Sequence, residues 1–251
     1  MIQRRPTHLL FDFFGTLVDY SPSRTEQGYQ LSHALLYEFG GQLGYERFLE
    51  AWSATSAQFD QHSALDDREF SMADVTTAFL HAALPREPTP GQVDAFVKTY
   101  LAEWSAPVRH PAGIDVLLEG LSSEFRLAVV SNTHSPTMVP EHLTAMGVLD
   151  SMDAVVLSVD VGRRKPHADI YQAALHQLAV SAQDVWFIGD SYEADYVGPR
   201  RMGMEALLID PQGKASVPLH HRLNTVFDLP HRLSLTLPDL LSRDTQLPPT
   251  T

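Results

Sequence analysis

Five short apolar runs limit what this chain can fold into more than any other feature: HLLFD at 8–12, RLAVVS at 126–131, AVVLS at 154–158, VWFIGD at 185–190 and EALLID at 205–210. Each is continuous rather than alternating and closes on a polar residue, the pattern of a strand buried on both faces. Helical patterns separate most of them. In DIYQAALHQL, Ile170, Ala174, Leu175 and Leu178 recur at helical spacing. Strands alternating with helices predict an α/β fold built on a doubly wound parallel sheet. Such sheets bind ligands beyond the carboxyl ends of their strands, so the residues there are the candidates for chemistry. Asp12 closes the first run and Ser131 the second, with Asn132 and Thr133 behind it. Asp190 closes the fourth, and Lys165 follows the third in GRRKPH. A carboxylate pair, a hydroxyl and an ammonium are therefore expected at one rim.

Residues 21–105 contain no comparable run. Leu31, Leu35, Leu36 and Phe39 keep helical spacing in QLSHALLYEF, and FLEAWSATSAQF, MADVTTAFLHAAL and GQVDAFVKTYLAEW follow, with breaks at Gly40, Gly41, Pro85, Pro88 and Pro90. The expected organisation is a core of residues 1–20 and 106–243, an all-helical insertion at 21–105, and a polar, Pro-rich tail at 244–251 that frays. Hinges are expected near Val18–Ser21 and Pro107–Pro111, about which the insertion would close over the rim.

Composition removes several classes of function. Thirty-one acidic residues against 18 basic ones give a formal charge of −13, which repels nucleic acid and anionic membrane surfaces. Any anionic small substrate must then be held by a few local groups. With no cysteine, disulfides and thiolate metal sites are excluded. No window approaches the ~18 consecutive apolar residues of a membrane span, and the start MIQRRPTHLL lacks the apolar stretch of a signal peptide. A cytoplasmic monomer or homodimer acting on a small molecule is the expectation.

Four motifs stand in order along the chain: DFFGTL at 12–17, VVSNT at 129–133, RRKPHADIY at 163–171 and IGDSYEAD at 188–195. Together they resemble the haloacid dehalogenase superfamily, from Asp12 to about residue 210. The resemblance implies a Rossmann-like core carrying a helical cap of the first-insertion type, and hydrolysis through Asp12 as a covalent nucleophile. It also implies Mg²⁺ as cofactor, held by Asp12, the backbone carbonyl of Phe14, and Asp190. Lys165 would stabilise the nucleophile and the transferring group, and Ser131 would donate to a phosphoryl oxygen. Gly15, Thr16 and Asn132 would join them in binding a phosphorylated or carboxylated substrate. Asp195 would support the site by orienting Lys165 or the metal's waters.

One position departs from the pattern. Most phosphatases of this superfamily carry a second Asp two residues after the nucleophile, which protonates the leaving alcohol and later activates water; here the residue is Phe14. A phenyl ring transfers no proton, so a step typically worth ~10²–10⁴-fold has no donor at the usual place. Three readings follow: a phosphatase with an easy leaving group or a substitute acid (His134, His62 or Tyr20), a dehalogenase-like enzyme attacking carbon, or an impaired site used for binding or regulation. The dehalogenase branch also lacks the second Asp but generally does not keep the acidic pair of GDSYEAD. A branch that cleaves carbon–phosphorus bonds through a cap lysine would require Lys98, whose pattern places it on a solvated helix face. Arg24, Arg47, Arg68 and Arg86 are candidates for gripping a substrate carboxylate.

Overall fold

The computed structural model describes residues 5–20 and 28–235. Six parallel strands, β1 (His8–Phe11), β2 (Arg126–Ser131), β3 (Ala154–Leu157), β4 (Val185–Gly189), β5 (Glu205–Ile209) and β6 (Arg222–Leu223), form one sheet in the order β3-β2-β1-β4-β5-β6. The fold class is the one expected. β1 pairs with both β2 and β4, so the strand order reverses beside β1, where open sheets of this kind form their crevice.

Alternate strand residues supply two cores, because successive side chains of a strand point to opposite faces. Leu9, Phe11, Leu127, Val129, Trp186 and Ile188 pack on one side. Leu10, Ala128, Val130, Val185 and Phe187 pack on the other. Helices cover both faces, which explains why the strands read as continuous apolar runs.

Residues 28–105 carry four helices: α1 (Gln30–Glu38), α2 (Tyr45–Asp66), α3 (Met72–Ala83) and α4 (Pro90–Ser105). Their starts follow from local chemistry. Ser71 and Asp74 make a reciprocal capping box at α3, and Thr89 and Gln92 make another at α4, where Pro90 occupies the first turn. α1 has no side-chain cap from its own first residues. Instead Glu103 of α4 accepts from the backbone N–H groups of Leu31 and Ser32, placing a carboxylate at the positive end of α1. These helices share a separate aromatic core of Tyr29, Phe48, Trp52, Phe79, Phe96 and Tyr100.

Two seams join this helical unit to the sheet domain. Asp19 and Arg109 exchange both backbone hydrogen bonds at 2.9 Å, pairing the two connecting segments. The loop between α2 and α3 forms the second seam, which no motif or pattern in the chain foretells. Arg68 and Arg163 form an antiparallel bridge, Glu69 N–H donates to Gly162 O, and Met72 N–H donates to His134 O. Of the expected hinge residues, Ser21 lies outside the described residues, as do Arg24 and the tail at 244–251.

Candidate active site

The first strand delivers Asp12 to the rim, and a tight turn follows it, with Gly15 N–H donating to Val18 O and Leu17 N–H to Phe13 O. Gly15 adopts φ +85°, and a Cβ at this position would collide with the Asp190 carboxylate. The glycine is therefore required twice, by its left-handed backbone and by the close approach of Asp190. Beyond β4, Ser191 caps a π-helical turn at Tyr192–Val197 and accepts from Ala194 N–H. That turn brings Asp195 back under the rim, where its Oδ2 accepts from Ser191 N–H.

Lys165 ties these pieces together. Its Nζ donates to Asp12 Oδ1 and to Asp195 Oδ1, each at 2.7 Å, and its side chain is 2% exposed. Burial alone would lower the lysine pKa, but the two carboxylates outweigh it and hold the ammonium charged. Asn132 fixes the lysine backbone, accepting from Lys165 N–H at 2.7 Å and donating to Lys165 O at 3.0 Å. Asn132 thus fixes the lysine main chain while itself lining the cavity.

The electrostatics are those of a site short of positive charge. Asp12, Asp190 and Asp195 each bring a carboxylate oxygen to within 4.8 Å of the others, and among the described residues one ammonium, that of Lys165, is bonded into the group. Burial pushes the Asp12 carboxyl up to about 7, with Asp195 and Asp190 adding to the rise and Lys165 opposing it. Asp190, whose side chain reaches solvent at the rim, is raised to about 6 by the protein wall behind it and by Asp195. Three clustered carboxylates against one ammonium are suited to a hard divalent cation. Ser131 adds a further indication: its Oγ is buried and has no partner among the described residues, an unusual state for a hydroxyl unless a ligand completes it.

Asp12, Phe14, Ser131, Asn132, Lys165, Asp190 and Asp195 all line one cavity of about 440 Å³ between the rim and α2–α4. Gly15 and Thr16 do not; Gly15 packs on Asp190, and Thr16 is buried with an unpartnered Oγ1. Both sit in the turn that follows Asp12. Of the three substitute acids, Tyr20 and His134 line the cavity, whereas His62 is exposed on α2 and bonds to Gln58 O. Arg47, Arg68 and Arg86 are exposed, as is Lys98 on α4; none of the four lines the cavity.

Sequence reasoning missed Glu69. Its side chain, fully buried, accepts from Arg164 (2.8 Å and 3.2 Å), from Ser158 Oγ (2.5 Å) and from His134 Nδ1 (3.1 Å). A carboxylate only accepts, so His134 carries its proton on Nδ1. His134 also stacks on Phe70, with ring centroids 4.2 Å apart. Burial would raise the Glu69 pKa, but the hydrogen bonds and charges of His134 and Arg164 overcome it and bring the carboxyl to about 2. Glu69 belongs to the inserted helical unit, while its partners belong to the loops that carry Ser131 and Lys165. In the sequence it is one acid among three in DDREF, with nothing to set it apart.

The doubly wound sheet thus gathers three carboxylates and one ammonium at its switch point. A family model described as haloacid dehalogenase-like hydrolase matches residues 9–209, and the chain belongs to that family. A ribulose-1,5-bisphosphate 5-phosphatase of Halopiger xanaduensis is 28% identical over 215 residues, covering 82% of this chain and 85% of that protein. The haloacid dehalogenase-like hydrolase domain-containing protein 3 of Bos taurus is 35% identical over 124 residues, or 47% of this chain and 49% of the relative. In three dimensions, a 2-haloacid dehalogenase from Pseudomonas syringae pv. Tomato DC3000 superposes with a TM-score of 0.71 at 21% identity, covering 91% of this chain and 98% of its own. That likeness is one of fold.

Proposed function

We propose that the protein is a Mg²⁺-dependent phosphatase of a small phosphorylated metabolite, using Asp12 as nucleophile. The observation that carries this reading is the Asp12–Lys165–Asp195 triangle beside Asp190, which leaves negative charge unbalanced at the place a phosphoryl group would approach. An anionic substrate cannot enter such a site without a cation. Asp12, the Phe14 carbonyl and Asp190 would hold Mg²⁺, which would supply charge neutralisation for the phosphoryl oxygens.

The protein's own groups divide the remaining work. A carboxylate oxygen of Asp12 attacks phosphorus, the ester P–O bond breaks, and water then hydrolyses the aspartyl phosphate. Lys165 keeps Asp12 oriented and places a positive charge against the transferring group. The orphaned Ser131 hydroxyl donates to a phosphoryl oxygen. Asp195 fixes the position of Lys165 from behind. Residues of α2–α4 line the cavity on the side facing the rim and would act as its cap. The phosphatase relative from Halopiger supports this choice over carbon–halogen chemistry. A 2-haloacid would also require a cation for its carboxylate, and among the described lining residues only Lys165 and Arg164 are cationic, with Arg164 already held by Glu69.

Thermal melting tests the metal site without relying on turnover. Mg²⁺ should raise the Tm of the wild type, by an amount equivalent to about 2.7 kcal/mol at a hundredfold excess over Kd, and Asp190→Asn should abolish the response. An equal Mg²⁺ shift in both proteins would refute the assignment.

A further inference from the structure

The wall above the carboxylates constrains the substrate more tightly than the carboxylates do. Phe14, Tyr20 and Trp104 form a three-ring cluster, with centroid distances of 5.5 Å (Phe14–Tyr20), 5.3 Å (Phe14–Trp104) and 6.1 Å (Tyr20–Trp104). Phe14 comes from the loop after β1 and Trp104 from the end of α4, so the cluster spans the crevice between the sheet domain and the inserted helices. All three rings line the cavity, and Phe70, Met72 and Leu101 extend the apolar surface.

Charge is as informative as shape. Among the described lining residues the cations are Lys165 and Arg164. Lys165 is committed to Asp12 and Asp195, and Arg164 to Glu69. A substrate with a second phosphate would find no uncommitted cation among the described lining residues, whereas a flat neutral group would meet ring faces and edges.

The missing acid points the same way. With a phenyl ring at position 14, the departing oxygen receives no proton from the usual place. Tyr20 lines the cavity, and its ring is packed with Phe14 and Trp104 in the wall. Nδ1 of His134 is engaged by Glu69. The chemistry is easiest if the leaving oxygen is stable as an anion. A phenol ionises at ~10, against ~15.7 for water.

We propose that the substrate is a phosphomonoester of a flat, apolar phenol or enol, with its ring held by Phe14, Tyr20 and Trp104. This rests on the phosphatase reading above and narrows it. As the Asp12 oxygen bonds to phosphorus, the ester P–O bond breaks and its electron pair leaves as the aryloxide or enolate, which takes its proton from solvent. Water then cleaves the aspartyl phosphate, regenerating the carboxylate and releasing inorganic phosphate and a proton.

The test combines rates with binding. In the Mg²⁺-loaded enzyme, kcat/KM is measured for substituted phenyl phosphates, 1-naphthyl phosphate, ribose 5-phosphate and ribulose 1,5-bisphosphate. Calorimetry on Asp12→Asn compares 1-naphthyl phosphate with inorganic phosphate. 1-Naphthyl phosphate is expected to exceed both sugar esters by about tenfold or more, and rates to fall steeply as the pKa of the leaving phenol rises. Trp104→Ala should reduce the naphthyl-to-ribose preference by about tenfold. A preference for either sugar ester, or a rate independent of leaving-group pKa, would overturn the proposal. If no ester is turned over, the phosphatase reading fails by itself. The binding comparison still decides the wall, because 1-naphthyl phosphate binding no more tightly than inorganic phosphate would refute it. That arm uses no variant of the helical unit and so does not depend on Trp104→Ala folding.

Discussion

At position 14 the side chain and the main chain serve different ends. The phenyl ring packs edge-on to Phe13 at 5.0 Å and to Trp104 at 5.3 Å, while the carbonyl belongs to the loop after Asp12 whatever side chain it carries. Replacing only the side chain should therefore restore the missing proton transfer without removing the backbone ligand. Phe14→Asp is expected to raise kcat/KM for alkyl phosphates by about 10–100-fold, the lower part of the range for general acid–base catalysis, and to flatten the dependence of rate on leaving-group pKa. A series of alkyl and aryl phosphates assayed with both proteins checks this. No gain on alkyl esters would show that Phe14 does not occupy the position of the missing acid. The variant loses aromatic packing, so melting temperatures must be compared alongside the rates.

At the scale of elements, the α2–α3 loop acts as a latch. Glu69 receives an arginine, a histidine and a serine from the β2 and β3 loops, and backbone bonds at Arg68, Glu69 and Met72 reinforce the seam. Because the folded carboxyl sits at about 2 and an unpaired glutamate at 4.5, the latch contributes its full stability above about pH 4.5. That contribution is lost as pH falls through the interval toward 2. Its size is of order 3 kcal/mol, since a tenfold change in proton affinity is worth ~1.36 kcal/mol. Urea unfolding of wild type and Glu69→Gln at pH 6 and pH 3 should show a gap that narrows at the lower pH. A gap independent of pH would mean that the carboxylate charge does not hold the seam.

This latch also marks the limit of what was legible in the sequence. The runs that became β1 to β5 stood out because strands buried on both faces need continuous apolar residues, and each ends within a residue of the expected place. The two-residue β6 is too short to carry any period. Asp12, Lys165 and Asp190 were legible because strand ends converge in a parallel sheet whatever the loops do. Glu69 was not, because its burial arises from two loops meeting across the molecule, and nothing local distinguishes it from a solvated acid. The approach of Asp190 to Gly15 and the burial of Thr16 were likewise not legible, because both depend on how the turn after β1 meets the rest of the rim.

For the whole molecule, an acidic chain with a formal charge of −13 handles an anion only by concentrating positive charge locally. Lys165, buried between two carboxylates, cannot do this alone, and a divalent cation at Asp12 and Asp190 would complete the balance. On the proposed reading, α2–α4 would decide which ester enters, through Trp104 and the apolar side chains that they place over the crevice. The measurement that tests the nucleophile and its metal most directly is hydrolysis of p-nitrophenyl phosphate by wild type and Asp12→Asn, with Mg²⁺ and with chelator, beside halide release from 2-chloropropionate. Nitrophenolate leaves without a proton, so the ring at position 14 does not mask a working nucleophile. Phosphate release that requires both Asp12 and Mg²⁺, with no halide released, is the expected result. Halide release that proceeds in chelator, or phosphate release that survives Asp12→Asn, would contradict it.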